Sequence, residues 1–294
     1  MEHIQEEYQT QKQLFKTNVE FNLSITVQME PSSPIRMNTR RHARSISFPS
    51  RTHPLLPQFN EHLNRLKETE STSNSLFSLG DRLSGLQDLY VYANDLIHMQ
   101  SLTLVQESNK KLADEVLDTY IKILDACTVT KDIFSQAKYD VQELLSSLRR
   151  RKDATDASGK YLASRRKNKK AIQKALKGLK NVKISERADQ LEAVGLFNSV
   201  QSATISVLES SLTYVMGTKA RSSFVSKLIR NESKDTNKNE FDQINEALGV
   251  LDIESIQLQL EEMEFKIQDI EEGLDCLFKH LIKTRVFLLN MLSY

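Results

Sequence analysis

The sequence predicts an all-α fold: an elongated helical bundle with two long, coiled-coil-like heptad helices, preceded by a disordered N-terminal arm. Three observations carry this. Ile253, Ile256, Leu260, Met263, Ile267, Ile270, Leu274, Leu277 and Leu281 step three and four residues without a break and continue through Thr284 to Leu288 and Met291. That is a heptad seam interrupted only by Thr284. Ala113, Val116, Tyr120, Ile123, Cys127, Thr130, Phe134, Ala137, Val141, Leu144 and Leu148 repeat the pattern, again with one threonine. All five prolines lie between Pro31 and Pro57, so proline breaks no helix beyond that point. A seam of this kind cannot remain in water, and two helices of similar length with matching seams predict an antiparallel pairing inside one chain.

Taken in order, the chain divides into an N-terminal extension (1–38), an Arg/Ser/Pro-rich arm (39–56) and a helical bundle (57–294). In the extension Val19, Phe21, Leu23, Ile25 and Val27 alternate as in a strand, but a lone strand has no partner and is not stable in water. The arm has no helical period and should be extended. Pro57 then suits the first turn of a helix whose apolar face is Phe59, Leu63 and Leu66. Ser71-Thr-Ser-Asn-Ser ends it. Leu76, Leu79, Leu83, Leu86, Ala93 and Ile97 carry a second helix to about residue 100, and the first heptad helix spans about 106–150.

Residues 153–159 read as a turn, followed by a basic helix at 160–180 with a thin apolar stripe of Leu162, Ile172, Leu176 and Leu179. A further helix runs from Ser185 to about Met216. Short helices are expected around Phe224–Ile229 and Phe241–Leu248, with a polar loop at 231–239 between them. In the last third of the final helix Phe278, Ile282, Val286 and Leu289 add a second apolar stripe, so that stretch is expected to be buried nearly all round.

The formal net charge is +1, but it is segregated. Residues 149–183 carry 14 Lys/Arg against two acids, and residues 252–275 carry nine acids against one base. This asymmetry says more than the total. Two cysteines, Cys127 and Cys276, make no disulfide framework and fit a reducing compartment, cytoplasm first and nucleus second. No run of eighteen apolar residues is present. The N-terminus lacks the basic and apolar regions of a secretory signal.

The sharpest short motif is Arg44-Ser45-Ile46-Ser47-Phe48-Pro49. Arg44 stands three residues before Ser47, the placement a basophilic kinase favours. A phosphate there would add nearly two negative charges and strong acceptor oxygens. With Pro49 two residues on, this is the form of phosphoserine motif read by the Arg clusters of 14-3-3 proteins. Ser47 and Ser45 are therefore the candidate phosphorylation sites, and Arg44, Ser47 and Pro49 the docking motif.

A basic patch is the second candidate: Arg149, Arg150, Arg151 and Lys152, then Arg165, Arg166, Lys167, Lys169 and Lys170. The spacing fits a bipartite nuclear-import signal, a nucleic-acid patch or an anionic surface site. The blander reading, which we favour, is a solvated helix face partly neutralised by the acids of 252–275. Aromatics do not interleave with the bases apart from Tyr161, which argues against single-strand stacking.

Metal and nucleophile readings fail at this level. The six histidines show no ligand spacing. Cys127 sits on a seam and reads as core, and Glu261, Glu262, Glu264, Glu271 and Glu272 as a solvated helix face. Thr130 and Thr284 are polar seam residues, which sometimes set register.

Three stretches point to a family. Arg41-His-Ala-Arg-Ser-Ile-Ser-Phe-Pro-Ser-Arg-Thr-His-Pro, Ser84-Gly-Leu-Gln-Asp-Leu-Tyr and the ending Leu277-Phe-Lys-His-Leu-Ile-Lys-Thr-Arg-Val-Phe-Leu-Leu-Asn-Met-Leu together resemble signatures of the plant-specific BYPASS-like proteins. The resemblance covers about residues 39–294, and residues 1–36 depart from it. It implies an all-helical plant protein linked with root and shoot development, and it supplies no reaction, ligand or catalytic residue.

The expectation is thus a non-catalytic scaffold or regulatory adaptor with a phosphorylation-regulated docking motif. Its partners would be proteins, 14-3-3 proteins and a basophilic kinase among them. Neither a cofactor nor a small-molecule substrate is expected. The alternative is a nuclear or anionic-surface-associated protein that uses the basic helix 149–183.

Overall fold

The computed structural model describes residues 55–69, 75–104, 110–150, 154–184, 192–217, 239–250 and 253–292. These residues form seven helices and no strand. The helices are α1 (Leu55–Glu68), α2 (Leu76–Leu104), α3 (Lys110–Arg149), α4 (Ala154–Lys180), α5 (Glu192–Met216), α6 (Glu240–Val250) and α7 (Ile253–Leu292). The sequence-based expectations for 1–54, 70–74, 105–109, 151–153, 185–191 and 218–238 fall outside the described residues. Among them are the alternating segment, the Arg/Ser arm up to residue 54 and the helix around Phe224–Ile229; the last two residues assigned to the arm, Leu55 and Leu56, are instead the opening of α1.

Both heptad seams are buried except at the two ends of the α7 seam, where Ile253 is 41% exposed and Met291 half-buried. On α7 every seam residue from Ile256 to Leu288, Thr284 included, has lost its contact with water, as has every seam residue named on α3. The seams close on each other within one chain. Lys131 pairs with Asp275, Ser135 donates to Glu271 at 2.5 Å, Gln142 to Glu264 at 2.7 Å and Arg149 to Glu261 at 2.7 Å. Numbers rise on α3 as they fall on α7, so the pairing is antiparallel, as the matched lengths predict.

Helices α2 and α5 complete a ring of four with α3 and α7, and their apolar faces join the same core. Helix α1 packs against α2 and α5, α4 against α3 and α5, and α6 against α7. Local caps fix the entry points. Ser75 and Ser78 exchange backbone-to-hydroxyl hydrogen bonds at the start of α2, and the Glu240 carboxylate accepts from the Leu76 N–H at 3.1 Å. Asn239 caps α6 by accepting from the Asp242 N–H at 2.9 Å.

Two expectations are corrected. Residues 154–159 are the opening of α4, not a turn. Asp156 in the first turn suits the positive end of the helix dipole, and buried Ala157 and Tyr161, four apart, anchor that end to the core. The second stripe of α7 is not enclosed: Phe278, Ile282 and Val286 are half-buried and Leu289 is 38% exposed. The neighbours of α7 cover its seam and flanks and leave its outer side to solvent.

Candidate functional site: the basic helix and its buried polar joint

After Asp156 the chain has no acid until Glu186, yet α4 is not uniformly solvated. Ala157, Tyr161, Asn168, Ile172 and Leu179 recur at helical spacing and are buried. Asn168, one neutral residue inside the run Arg165–Lys170, lies on this inner face and donates to Asp140 of α3 at 3.2 Å. Buried Asp140 also accepts from Ser164 at 2.7 Å and from Gln136 at 2.9 Å. Three donors on one carboxylate offset the cost of taking a charge out of water.

Arg165 lies four residues beyond Tyr161 and also turns inward. Its Nη2 donates to the Val215 carbonyl at 2.6 Å, and its guanidinium lies 4.2 Å over the Phe241 ring. Val215 is in the last turn of α5, where carbonyls have no partner within the helix and where a cation suits the dipole. The neighbouring Tyr214 carbonyl accepts from Asn239 Nδ2 at 2.8 Å. Side chains from α4 and from the residue before α6 thus close the end of α5. Burial lowers the pKa of Arg165 from its ordinary value. Burial also pushes the Tyr161 phenol up to about 12, with Arg165 partly opposing this.

The outer face of α4 is cationic. Arg166, Lys167, Lys170, Lys174, Lys177 and Lys180 are exposed, and Lys169 is half-buried. At the end of α3, Arg149 and Arg150 are exposed, while Arg151 and Lys152 lie outside the described residues. The structure therefore divides the sequence-derived patch. Arg165 is a helix cap and not a free cation, because its position on the helix points it into the joint. The docking residues Arg44, Ser45, Ser47 and Pro49 lie outside the described residues.

The expected neutralisation by the acidic segment does not reach α4. The partners of Glu261, Glu264, Glu271 and Asp275 are Arg149, Gln142, Ser135, Lys138 and Lys131 of α3. Glu262 pairs with Lys266, and Glu272 accepts from Gln268, both on α7 itself. Asp156 holds Lys160 at 2.7 Å, and that hydrogen bond raises the lysine pKa.

A cleft of about 330 Å³ between α3 and α4 is lined by Asp140, Glu143, Asp156, Lys160 and Ser164, among others. Among the described residues no group of three or more His, Cys, Asp or Glu is placed to hold a metal ion. No described helix is long and apolar enough to cross a membrane.

Sequence reasoning missed Asp140, which sits beside the seam and looks like any flanking polar residue. Asn168 was findable, since it falls on the Tyr161/Ile172 face.

These features define a class: an all-helical bundle whose buried charged side chains join helices and whose other charges line exposed helix faces, in part as pairs within one helix. Within that class the chain belongs to the BPS1 family, whose family model, described as Protein BPS1, matches residues 82–291. This is the BYPASS-like family that the three signatures resemble. Ser84–Tyr90 lies inside the matched stretch, the C-terminal signature lies inside it almost to its end, and the Arg/Ser tract precedes it. No curated protein and no solved structure matches the chain.

Proposed function

We propose that this chain is a non-catalytic scaffold or regulatory adaptor, acting in plant root and shoot development, with Arg44–Pro49 as a docking motif controlled by phosphorylation at Ser47 or Ser45. One observation supports this above the rest. The buried charged groups among the described residues hold helices together, Arg82 of α2 included, which donates to Ser206 of α5 at 3.2 Å, while most of the remaining charge lies on exposed or half-exposed helix faces. Asp140 and Arg165 are joints, and the buried Cys127 thiol is pushed up to about 12 by burial. A thiol so raised is a poor nucleophile at neutral pH. Charged helix faces recruit partners more readily than they turn over substrates.

The test is affinity purification of the tagged full-length protein from plant cells, beside a Ser47→Ala version, with partners and phosphosites read by mass spectrometry. Phosphate on Ser47, and 14-3-3 proteins present with the wild type but missing from the mutant, is the expected result. Identical partner sets with an unmodified Ser47 would sink the docking motif.

A further inference from the structure

Charge segregation survives folding, with a consequence for assembly. The α3 residues that bond α7 (Lys131, Ser135, Lys138, Gln142, Arg149) and those that face α4 (Asp140, Leu144, Ser147) lie about 180° apart at 100° per residue. So α4 and α7 flank α3 on opposite sides, and between them α3 exposes Asp132 and Tyr139, the latter 59% exposed. One flank is the cationic row of α4.

The other flank is the outer row of α7, with exposed Glu254, Glu261, Glu262, Asp269 and Glu272. In that row Leu258 and Phe265 are each 69% exposed. Two large apolar side chains among acids are what a partner with a basic face would cover. The chain's own α4 cannot do so from across α3.

We propose that this three-helix face is a self-complementary interface for a second copy of this chain. Helices α4 and α7 both run antiparallel to α3, so they are parallel to each other. Ser164 and Asn168 sit opposite Asp140, and Glu264 sits opposite Gln142, so Arg166–Lys170 is level with Glu262–Glu272. A two-fold axis parallel to α3 sets α4 of each copy against α7 of the other at matching height. Cations then meet acids twice, as an isologous pair requires.

An axis across the helices would oppose α4 to α4 and α7 to α7 along their lengths, whereas the parallel axis opposes only the α3 strips, where Asp132 meets its twin beside Tyr139. With axes about 9 Å apart and 1.5 Å per residue, the 27 residues of α4 that stand level with α3 and α7 make a face of roughly 700 Å². That is below the ~800 Å² per partner of a standard interface, so the dimer is weak and salt-sensitive.

The experiment is sedimentation equilibrium of the full chain at tens of micromolar, at about 20 mM and at about 500 mM salt, where screening of exposed charges differs most. A mass near twice 33.7 kDa at low salt, falling to the monomer at high salt, is expected. Lys167→Glu/Lys170→Glu and Asp269→Lys/Glu272→Lys alter only exposed positions, and circular dichroism checks that both variants stay helical. Each alone should be monomeric, and their equimolar mixture should form a one-to-one pair, because both contacts then regain opposite charges. A monomeric wild type at low salt overturns the proposal. So does a mixture that stays apart, or a single variant that still self-associates. None of these readings depends on Ser47.

Discussion

The Arg165 guanidinium donates to the Val215 carbonyl at 2.6 Å while lying 4.2 Å over the Phe241 ring, so one side chain of α4 joins the end of α5 to the start of α6. Truncation would leave a carbonyl without its cation and remove the ring contact. Arg165→Ala should cost about 2–3 kcal/mol of unfolding free energy, and the adjacent Arg166→Ala, which is exposed, less than about 0.5 kcal/mol. Urea unfolding of both variants decides this; equal effects would mean that Arg165 is a surface cation after all. Alanine variants meant to test the basic face should accordingly spare Arg165.

The two seam threonines differ. Thr130 returns its hydroxyl to Ala126 O of its own helix at 2.8 Å, whereas Thr284 donates to Asn94 Oδ1 of α2 at 3.1 Å. Thr130→Val should be close to neutral. A double-mutant cycle with Thr284→Val and Asn94→Ala should give a coupling of about 0.5–1.5 kcal/mol. Zero coupling would show that Thr284, like Thr130, is merely tolerated.

Gly217 follows α5 with φ of +90°, and a Cβ there would meet Asp242 Oδ1 at 2.7 Å. Gly178 lies within α4 with nothing inside 4 Å of its Cβ position. Gly217→Ala should destabilise by about 1–2 kcal/mol through strain and crowding. Gly178→Ala should stabilise by roughly 0.5–1 kcal/mol through helix propensity. Chemical denaturation measures both, and the prediction fails if the signs agree.

Loss of water raises the pKa of Tyr161 and Cys127 to about 12 and holds Tyr90 and Tyr120 above the ordinary phenol range. In the unfolded chain these groups release protons near their ordinary values of 9.0 and 10.0. Their stabilising effect is therefore complete below pH 9 and is lost as pH rises toward 12. Each group steepens the fall by up to about 1.4 kcal/mol per pH unit. Tyr161→Phe should unfold with a shallower alkaline slope in urea titrations at stepped pH. An unchanged slope would place the phenol in water.

The helices and the core were legible because they follow from period. The buried residues of α7 are those of its seam, and burial of Cys127 follows from its place on the other. Charge placement was legible as composition but not as geometry. Arg165 and Arg166 are neighbours in the same basic run, and only the face each occupies, set by the packing of α4 on α3 and α5, makes one a cap and the other a surface cation. Asp140 carried no signal at all, because its donors come from positions 136, 164 and 168, and the chain's path alone brings the last two to it.

By itself the amino-acid sequence determined the helical class, the two seams and the family signatures, and it suggested, without fixing, that the seams close antiparallel within one chain. These depend on periodicity and local preference, which are written along the chain. Tertiary structure alone decided that the basic helix α4 and the acidic segment stand on opposite sides of α3, with only Arg149 of the basic run reaching Glu261, that α4 begins at Ala154, and that the outer stripe of α7 stays in solvent. Those outcomes depend on which helix fills which groove, a competition among apolar faces across the whole bundle that no single stretch encodes.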